Sequence, residues 1–215
     1  MLAGALGCAA QNPDVRVVRL PNGTLQVDGP LAGPFKTTEE LAAHGCELMT
    51  RQPGAGATHG KLGKEYCALH YYSQEDQAYY LTYLSDIGGD GPDGSKYCNV
   101  PKSINELNEK KPLITGPAHN HTQNRQFSPA DLGATRPAGW SPVGPSRVVQ
   151  PGTGQLWDRE LYVFFKDLNA VCSTYRYNYA TRVVSALREG KWVLIGQAEG
   201  DWGAFKPIEG AGWLP

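Results

Sequence analysis

Histidine is scarce in this sequence: five residues in 215, alongside only two methionines. Charge of one sign is also lacking. Twenty Lys and Arg against 21 Asp and Glu leave a formal net charge of −1, so no basic field exists to gather nucleic acid or anionic lipid. No apolar run approaches the length needed to cross a bilayer as a helix. No internal repeat is visible, and the five cysteines contain no C-x-x-C pair. That argues against a cysteine zinc site or a thioredoxin-type redox pair. What is plentiful is glycine and proline, 26 and 16 residues, with aromatics at 10% spread along the chain. This composition describes a loop-rich globular domain rather than a disordered one, long enough for one sizeable core with decorations.

The first residues, "MLAGALGCAAQNPD", are small and apolar and then turn polar. They resemble the tail of a bacterial lipoprotein signal with Cys8 as the lipidated residue, which implies membrane anchoring through Cys8 and a secreted, periplasmic or cell-envelope location. The alternative is a ragged N-terminus. If Cys8 carries lipid, Cys46, Cys67, Cys98 and Cys172 remain. Four cysteines can form two disulfides in any of three connectivities; buried free thiols in a cytosolic protein are the other reading. Residues 1–35 read as signal-like segment and tail, with one hairpin at the Asn-Gly of "PNGT". Residues 36–215 read as the functional domain.

Within that domain, "TTEELAAHGCELMTRQ" (37–52) predicts a helix. Thr37 or Thr38 can cap it, Glu39 and Glu40 suit its first turn, and Leu41, Leu48 and Met49 recur at helical spacing. "EYCALHYY" (65–72) and "QAYYLTYLSDI" (77–87) predict two strands joined by "SQED". "SINELNEKK" (103–111) reads as a short helix and "PLITGPAHNH" (112–121) as a strand. A brief helix is expected from Ser128, followed by a loop. The last third reads as strands, with "REGK" as a turn. The order of elements predicts an α+β fold built on a mixed sheet.

The chemistry concentrates in "GPAHNHTQNRQFSPAD" (116–131). Residues two apart on a strand point to one side, so His119 and His121 present both imidazoles to a single face. Asp131 lies in the first turn after Ser128, an N-cap candidate, and Pro129. Two imidazoles and one carboxylate make a three-ligand set that leaves a fourth position open, as a catalytic Zn2+ requires. A hydrolytic site also needs an acid to move protons, and Glu65 opens the strand expected beside the histidines. Taken singly, each feature has a plainer reading: an H-x-H pair is more often surface or core, and S-P-A-D is a good helix start. The letters "HNH" do not make an HNH nuclease, whose residues are dispersed over a different motif. His44 and His70 read as packing or surface residues; His59, in a Gly-rich loop, can lie near a cleft, though nothing in the sequence places it there.

Taken together, Glu on a first strand, then H-x-H, then S-x-x-D resembles the JAMM (MPN+/JAB) metalloprotease motif, with "FSPAD" close to its bacterial secreted or toxin-associated branch. The resemblance covers roughly residues 37–200. It implies a JAB/MPN-like fold: a mixed β-sheet flanked by helices, in the three-layer manner of cytidine deaminases. It also implies zinc held by His119, His121 and Asp131, Glu65 as general acid/base, and Ser128 holding the oxyanion or the water through its hydroxyl, a role that competes with capping. The activity implied is hydrolysis of amide bonds in a protein or peptide substrate, as a peptidase or isopeptidase. This chain departs from the motif in having Asn120 where Ser or Thr is common, and in placing six residues between His121 and Ser128. Loops 88–102 and 133–158 are expected to flank the cleft, as specificity elements or as surface decoration. Two alternatives stand beside the hydrolase: a non-catalytic envelope binding module, and a secreted toxin or effector using the same site.

Overall fold

The computed structural model describes residues 11–105, 112–133, 136–201 and 203–210. Nine strands form its main sheet: β1 (Ala32–Phe35), β2 (Cys67–Ser73), β3 (Ala78–Leu81), β4 (Leu113–His121), β5 (Glu160–Lys166), β6 (Cys172–Asn178), β7 (Val183–Arg188), β8 (Lys191–Glu199) and β9 (Ala204–Pro207). Their spatial order is β9-β8-β7-β6-β5-β4-β2-β3-β1. β4 pairs antiparallel with β2 and parallel with β5. From β5 onward the chain runs as an antiparallel meander. The aromatic and β-branched runs of the last third form these strands because such side chains pack well on a pleated, half-buried surface.

One α-helix, α1 (Thr38–Thr50), covers one face of the sheet. Thr37 caps it by accepting from the Glu40 amide, and Glu39 and Glu40 occupy its first turn. Leu41, Ala42, Cys46, Leu48 and Met49 pack on Ala68, Leu81, Ala118, Tyr162 and Phe164. A Cβ at Gly45 would lie 3.0 Å from the Phe164 ring, so the missing side chain lets the helix settle against the sheet. The opposite face is filled by Leu161, Val163, Tyr175, Tyr177 and Ile195, capped by Phe127 and Leu132 from the segment after the histidines. Strand alternation thus divides β5 between two cores: Tyr162 and Phe164 face the helix, Leu161 and Val163 face away.

The expected α+β fold, a sheet flanked by helices in a JAB-like three-layer arrangement, is corrected by this architecture. The protein is mostly β. Among the described residues there is one α-helix and one short 3-10 segment, Ala57–Leu62. Among those residues, neither the described start of the expected 103–111 helix nor a helix after Ser128 forms. Ser103–Asn105 is a strand, because its backbone pairs in parallel with Leu25–Asp28; residues 106–111 lie outside the described residues. After Ser128 only a single turn forms, with Leu132 N donating to Ser128 O at 3.2 Å. Gly133, at φ +89°, then takes the left-handed conformation that ends helices. Short polar segments gain little from propensity alone, so pairing and packing decided both.

The N-terminal hairpin forms as expected, Val17–Arg19 against Leu25–Asp28. Residues 32–35, read as tail, instead supply the edge strand β1, which pairs with β3. Cys8 lies outside the described residues. Of the three possible connectivities the structure has Cys46–Cys172 and Cys67–Cys98. Disulfides persist in oxidising compartments, so this pairing is compatible with an extracytoplasmic protein. No described helix is long and apolar enough to cross a membrane.

Candidate metal centre

β4 ends at the histidines. Its register places His119 across from Cys67 of β2 and beside Val163 of β5, with His121 beside Phe165. Both rings therefore project from the face opposite α1. The Nε2 atoms of His119 and His121 stand 2.9 Å apart. Asp131 completes the group, with Oδ1 3.3 Å from His119 Nε2 and Oδ2 3.4 Å from His121 Nε2. A tetrahedral ion with bonds of about 2.0–2.1 Å to nitrogen and oxygen needs ligand–ligand edges of about 3.3 Å. The three observed edges match that figure within about half an ångström, and the set can hold a metal ion.

The surrounding structure aims these ligands. Asp131 is delivered by the single turn that follows Ser128. Ser128 donates from both its amide and its hydroxyl to Asp131 Oδ2, each at 2.7 Å, and its hydroxyl oxygen accepts the Asp131 amide at 3.2 Å. This is the reciprocal pattern of a helix cap without the helix. The Leu132 side chain next to it is buried in the second core, so a hydrophobic anchor fixes the turn. The Asn124 backbone hydrogen-bonds His121. Partners of this kind set a ligand's orientation and basicity.

Burial governs the electrostatics. It pushes His119 down to about 4, against the pull of the neighbouring Asp131 charge. Burial acts in the same sense on His121, but the hydrogen bond and charge of Asp131 override it and raise this ring above its ordinary value. For Asp131, burial alone would favour the neutral acid. The two imidazoles and the Ser128 hydroxyl reverse that and hold the carboxyl well below the usual carboxylate range. The pocket is thus built around a carboxylate and at least one neutral imidazole, the protonation states that metal ligation requires.

Glu65 lies in the same cleft as the three ligands, a space of about 760 Å³. Burial pushes its carboxyl up to about 8; the Asp131 charge adds to this, while His121 and Lys96 oppose it. Such an acid is poised to give and take protons near neutral pH. Of the five residues singled out in the sequence, all line this cleft. Ser128 differs from expectation in one respect: its hydroxyl is engaged with Asp131, so in this arrangement it orients a ligand rather than facing a reacting oxygen.

The structure adds residues that the sequence did not single out. Lys96 and Tyr97, and Arg136 and Pro142 from segment 133–158, also line the cleft; residues 88–102, expected as a loop, instead form a hairpin in which Lys96–Cys98 pairs with Gly88–Asp90. Both Gly- and Pro-rich segments therefore contribute walls. Tyr179, from beyond the end of β6, brings a buried hydroxyl with no partner among the described residues. Nothing in the spacing of Lys96, Arg136 or Tyr179 marks them, because each reaches the cleft from a distant part of the chain. His70, read as packing or surface, is a core residue. It stacks on Tyr162 at 4.2 Å between centroids, and its Nε2 bonds the Glu160 carbonyl at 2.9 Å. Compared with protein-family models, curated proteins and solved structures, the chain matches none.

Proposed function

We propose that this protein is a zinc-dependent hydrolase of amide bonds, acting on a peptide or protein as a peptidase or isopeptidase. The observation that carries the reading is the three-ligand cage with an elevated-pKa acid in the same cleft. Two imidazoles and one carboxylate form the mixed nitrogen–oxygen set that suits zinc better than the all-oxygen sets of magnesium or calcium. Bound there, the ion would lower the pKa of a water molecule and polarise a carbonyl. His119, His121 and Asp131 hold it, and Ser128 keeps Asp131 turned toward the histidines. Glu65 takes a proton from the attacking water and delivers it to the leaving amine. Lys96 stands close enough to Glu65 to lower its pKa, which favours the ionised form that accepts the first proton. The order Glu, H-x-H, S-x-x-D, which resembles the JAMM motif, supports the same assignment of roles.

The two disulfides favour action outside the cytoplasm, with Cys8 as a candidate lipid anchor. A secreted toxin or effector would use the same chemistry on a target in another cell. A non-catalytic envelope binding module is the reading to beat, and it makes no use of a buried acid beside the cage.

The test is elemental analysis of the purified protein together with hydrolysis of a fluorogenic peptide-amide library, repeated with Glu65→Gln. The expected result is one zinc per chain in both proteins and a loss of turnover of at least about 100-fold in the variant. Zinc without hydrolysis in the wild type would favour the binding module. Unchanged turnover in the variant would remove Glu65 from the chemistry.

A further inference from the structure

Between the two histidine ligands, Asn120 points to the other side of β4, where strand alternation turns it toward α1 and away from the cleft. It is fully buried, and its side chain spans three backbone groups of one loop. Oδ1 accepts from the Tyr66 amide at 2.8 Å. Nδ2 donates to the Ala55 carbonyl at 3.0 Å and to the Lys64 carbonyl at 3.1 Å. Both amide protons and the amide oxygen are therefore used. The residues bonded include the immediate neighbours of Glu65 on either side.

We infer that Asn120 is a positioning residue that sets the place of Glu65 relative to His119, His121 and Asp131; this rests on the hydrolase reading above. The physical reason is connectivity. Glu65 lies on an irregular segment that precedes β2, so no ladder of strand hydrogen bonds fixes its backbone. His119 and His121 are covalently one residue from Asn120. A side chain that grips Lys64 and Tyr66 therefore references the acid directly to the ligands. Other contacts close the same loop: Lys64 N donates to Gly54 O at 2.9 Å, and the Tyr66 hydroxyl donates to Pro53 O at 2.7 Å. Those bonds shape the loop within itself. Asn120 joins it to the ligand strand.

Asparagine suits this task because it supplies two donors and an acceptor in one plane. Aspartate has nearly the same shape and keeps the bond to the Tyr66 amide, yet it would set a carboxylate oxygen against the Ala55 and Lys64 carbonyls. Serine would offer one donor and one acceptor. Neither restores the full grip, and a displacement of about 1 Å in a catalytic group can cost on the order of 100-fold in rate.

The test uses the full chain with Asn120→Asp and, as the gentler change, Asn120→Ser. Expected are a fall in kcat of about 10- to 100-fold, with KM and zinc affinity within about 3-fold of wild type. The decisive measurement is the cycle with Glu65→Gln. If Asn120 acts through Glu65, adding Asn120→Asp to Glu65→Gln lowers the residual rate by less than about 2-fold. Equal losses in both backgrounds, an unchanged kcat in the single variants, or a parallel collapse of zinc affinity would overturn the inference. A wild type without hydrolysis would defeat the hydrolase reading itself. Amide exchange still judges the clamp in that case: Tyr66 N–H should exchange at least about 10-fold faster in Asn120→Ala, which lacks the accepting oxygen, and unchanged exchange would overturn it.

Discussion

Cys67 lies directly across from His119 in the pairing of β2 with β4, and its sulfur is bonded to Cys98. The hairpin that contributes Lys96 and Tyr97 to the cleft wall is thereby tied to the strand beside the candidate metal ligands. The other disulfide, Cys46–Cys172, joins α1 to β6 and has no part in the cleft lining.

The two bridges should therefore separate in their effects. Replacing Cys46 and Cys172 by serine removes a link of sequence separation 126, and replacing Cys67 and Cys98 removes one of 31. Chain-entropy estimates give losses of about 5 and about 4 kcal/mol respectively. Only the Cys67/Cys98 pair should alter the cleft, seen as a rise in KM of several-fold for a peptide substrate. Denaturant melts and steady-state kinetics on both pairs check this; a KM change confined to the Cys46/Cys172 pair would contradict it.

If the His119–His121–Asp131 group holds zinc as proposed, the ion should stabilise the fold. At a free concentration 100 times its dissociation constant, a ligand that binds only the native state adds about 2.7 kcal/mol. His119→Ala and Asp131→Asn should each abolish this increment at the same zinc concentration, because two ligands remain where three were. Calorimetry with and without a chelator reads the result, and an undiminished increment in either variant would place the ion elsewhere.

Glu65 makes the metal-free protein pH-sensitive in a definite direction. Its carboxyl titrates at about 8 in the folded chain against an ordinary 4.5. Between those values the unfolded chain releases the proton while the native one retains it. Stability from this group is thus full below about pH 4.5 and is lost as pH rises toward 8. Glu65→Gln removes the cost of ionising a buried acid. In the presence of chelator it should raise stability at pH 8 by roughly 1–3 kcal/mol and change little at pH 4.5. Urea melts at the two pH values decide it.

His70 works in the opposite sense. Burial holds it neutral, with its pKa near 4 rather than 6.5. Stability is full above about pH 6.5 and is lost as pH falls toward 4, since only the unfolded chain gains the proton over that window. The loss should be on the order of 2–3 kcal/mol, with His119 adding to it in the metal-free protein. The ring resonances of His70, followed by NMR, should not titrate before the protein unfolds; a midpoint near 6.5 in the folded state would refute the assignment.

Particular residues show how far the sequence could be read. Period-two placement on a strand was enough to set His119 and His121 on one face, because the backbone pleat enforces it locally. Capping chemistry located α1, since Thr37 and the acidic first turn act within a few residues. The Ser128–Asp131 pair was legible as a cap but not as a one-turn stop. Gly133 and the packing of Leu132 decided that, and Leu132 reaches partners on β6 and beyond. The expected helical elements failed for a related reason: Ser103–Asn105 found a pairing partner in Leu25–Asp28, and the turn after Ser128 was stopped at Gly133.

What the sequence by itself determined is the set of chemical groups and their local geometry: two imidazoles on one side of a strand, a capped carboxylate after them, an acid shortly before another strand (expected at its first residue, found two residues ahead of Cys67), and cysteines able to pair. Only the tertiary structure decided which cysteines pair, that Glu65 shares a cleft with the three ligands, and that Asn120 joins the segment bearing Glu65 to the ligand strand. Those facts depend on contacts between residues tens of positions apart, such as Asn120 with Tyr66 at a separation of 54. Nothing in local spacing encodes them; they follow from the order in which β2, β4 and β5 lie side by side.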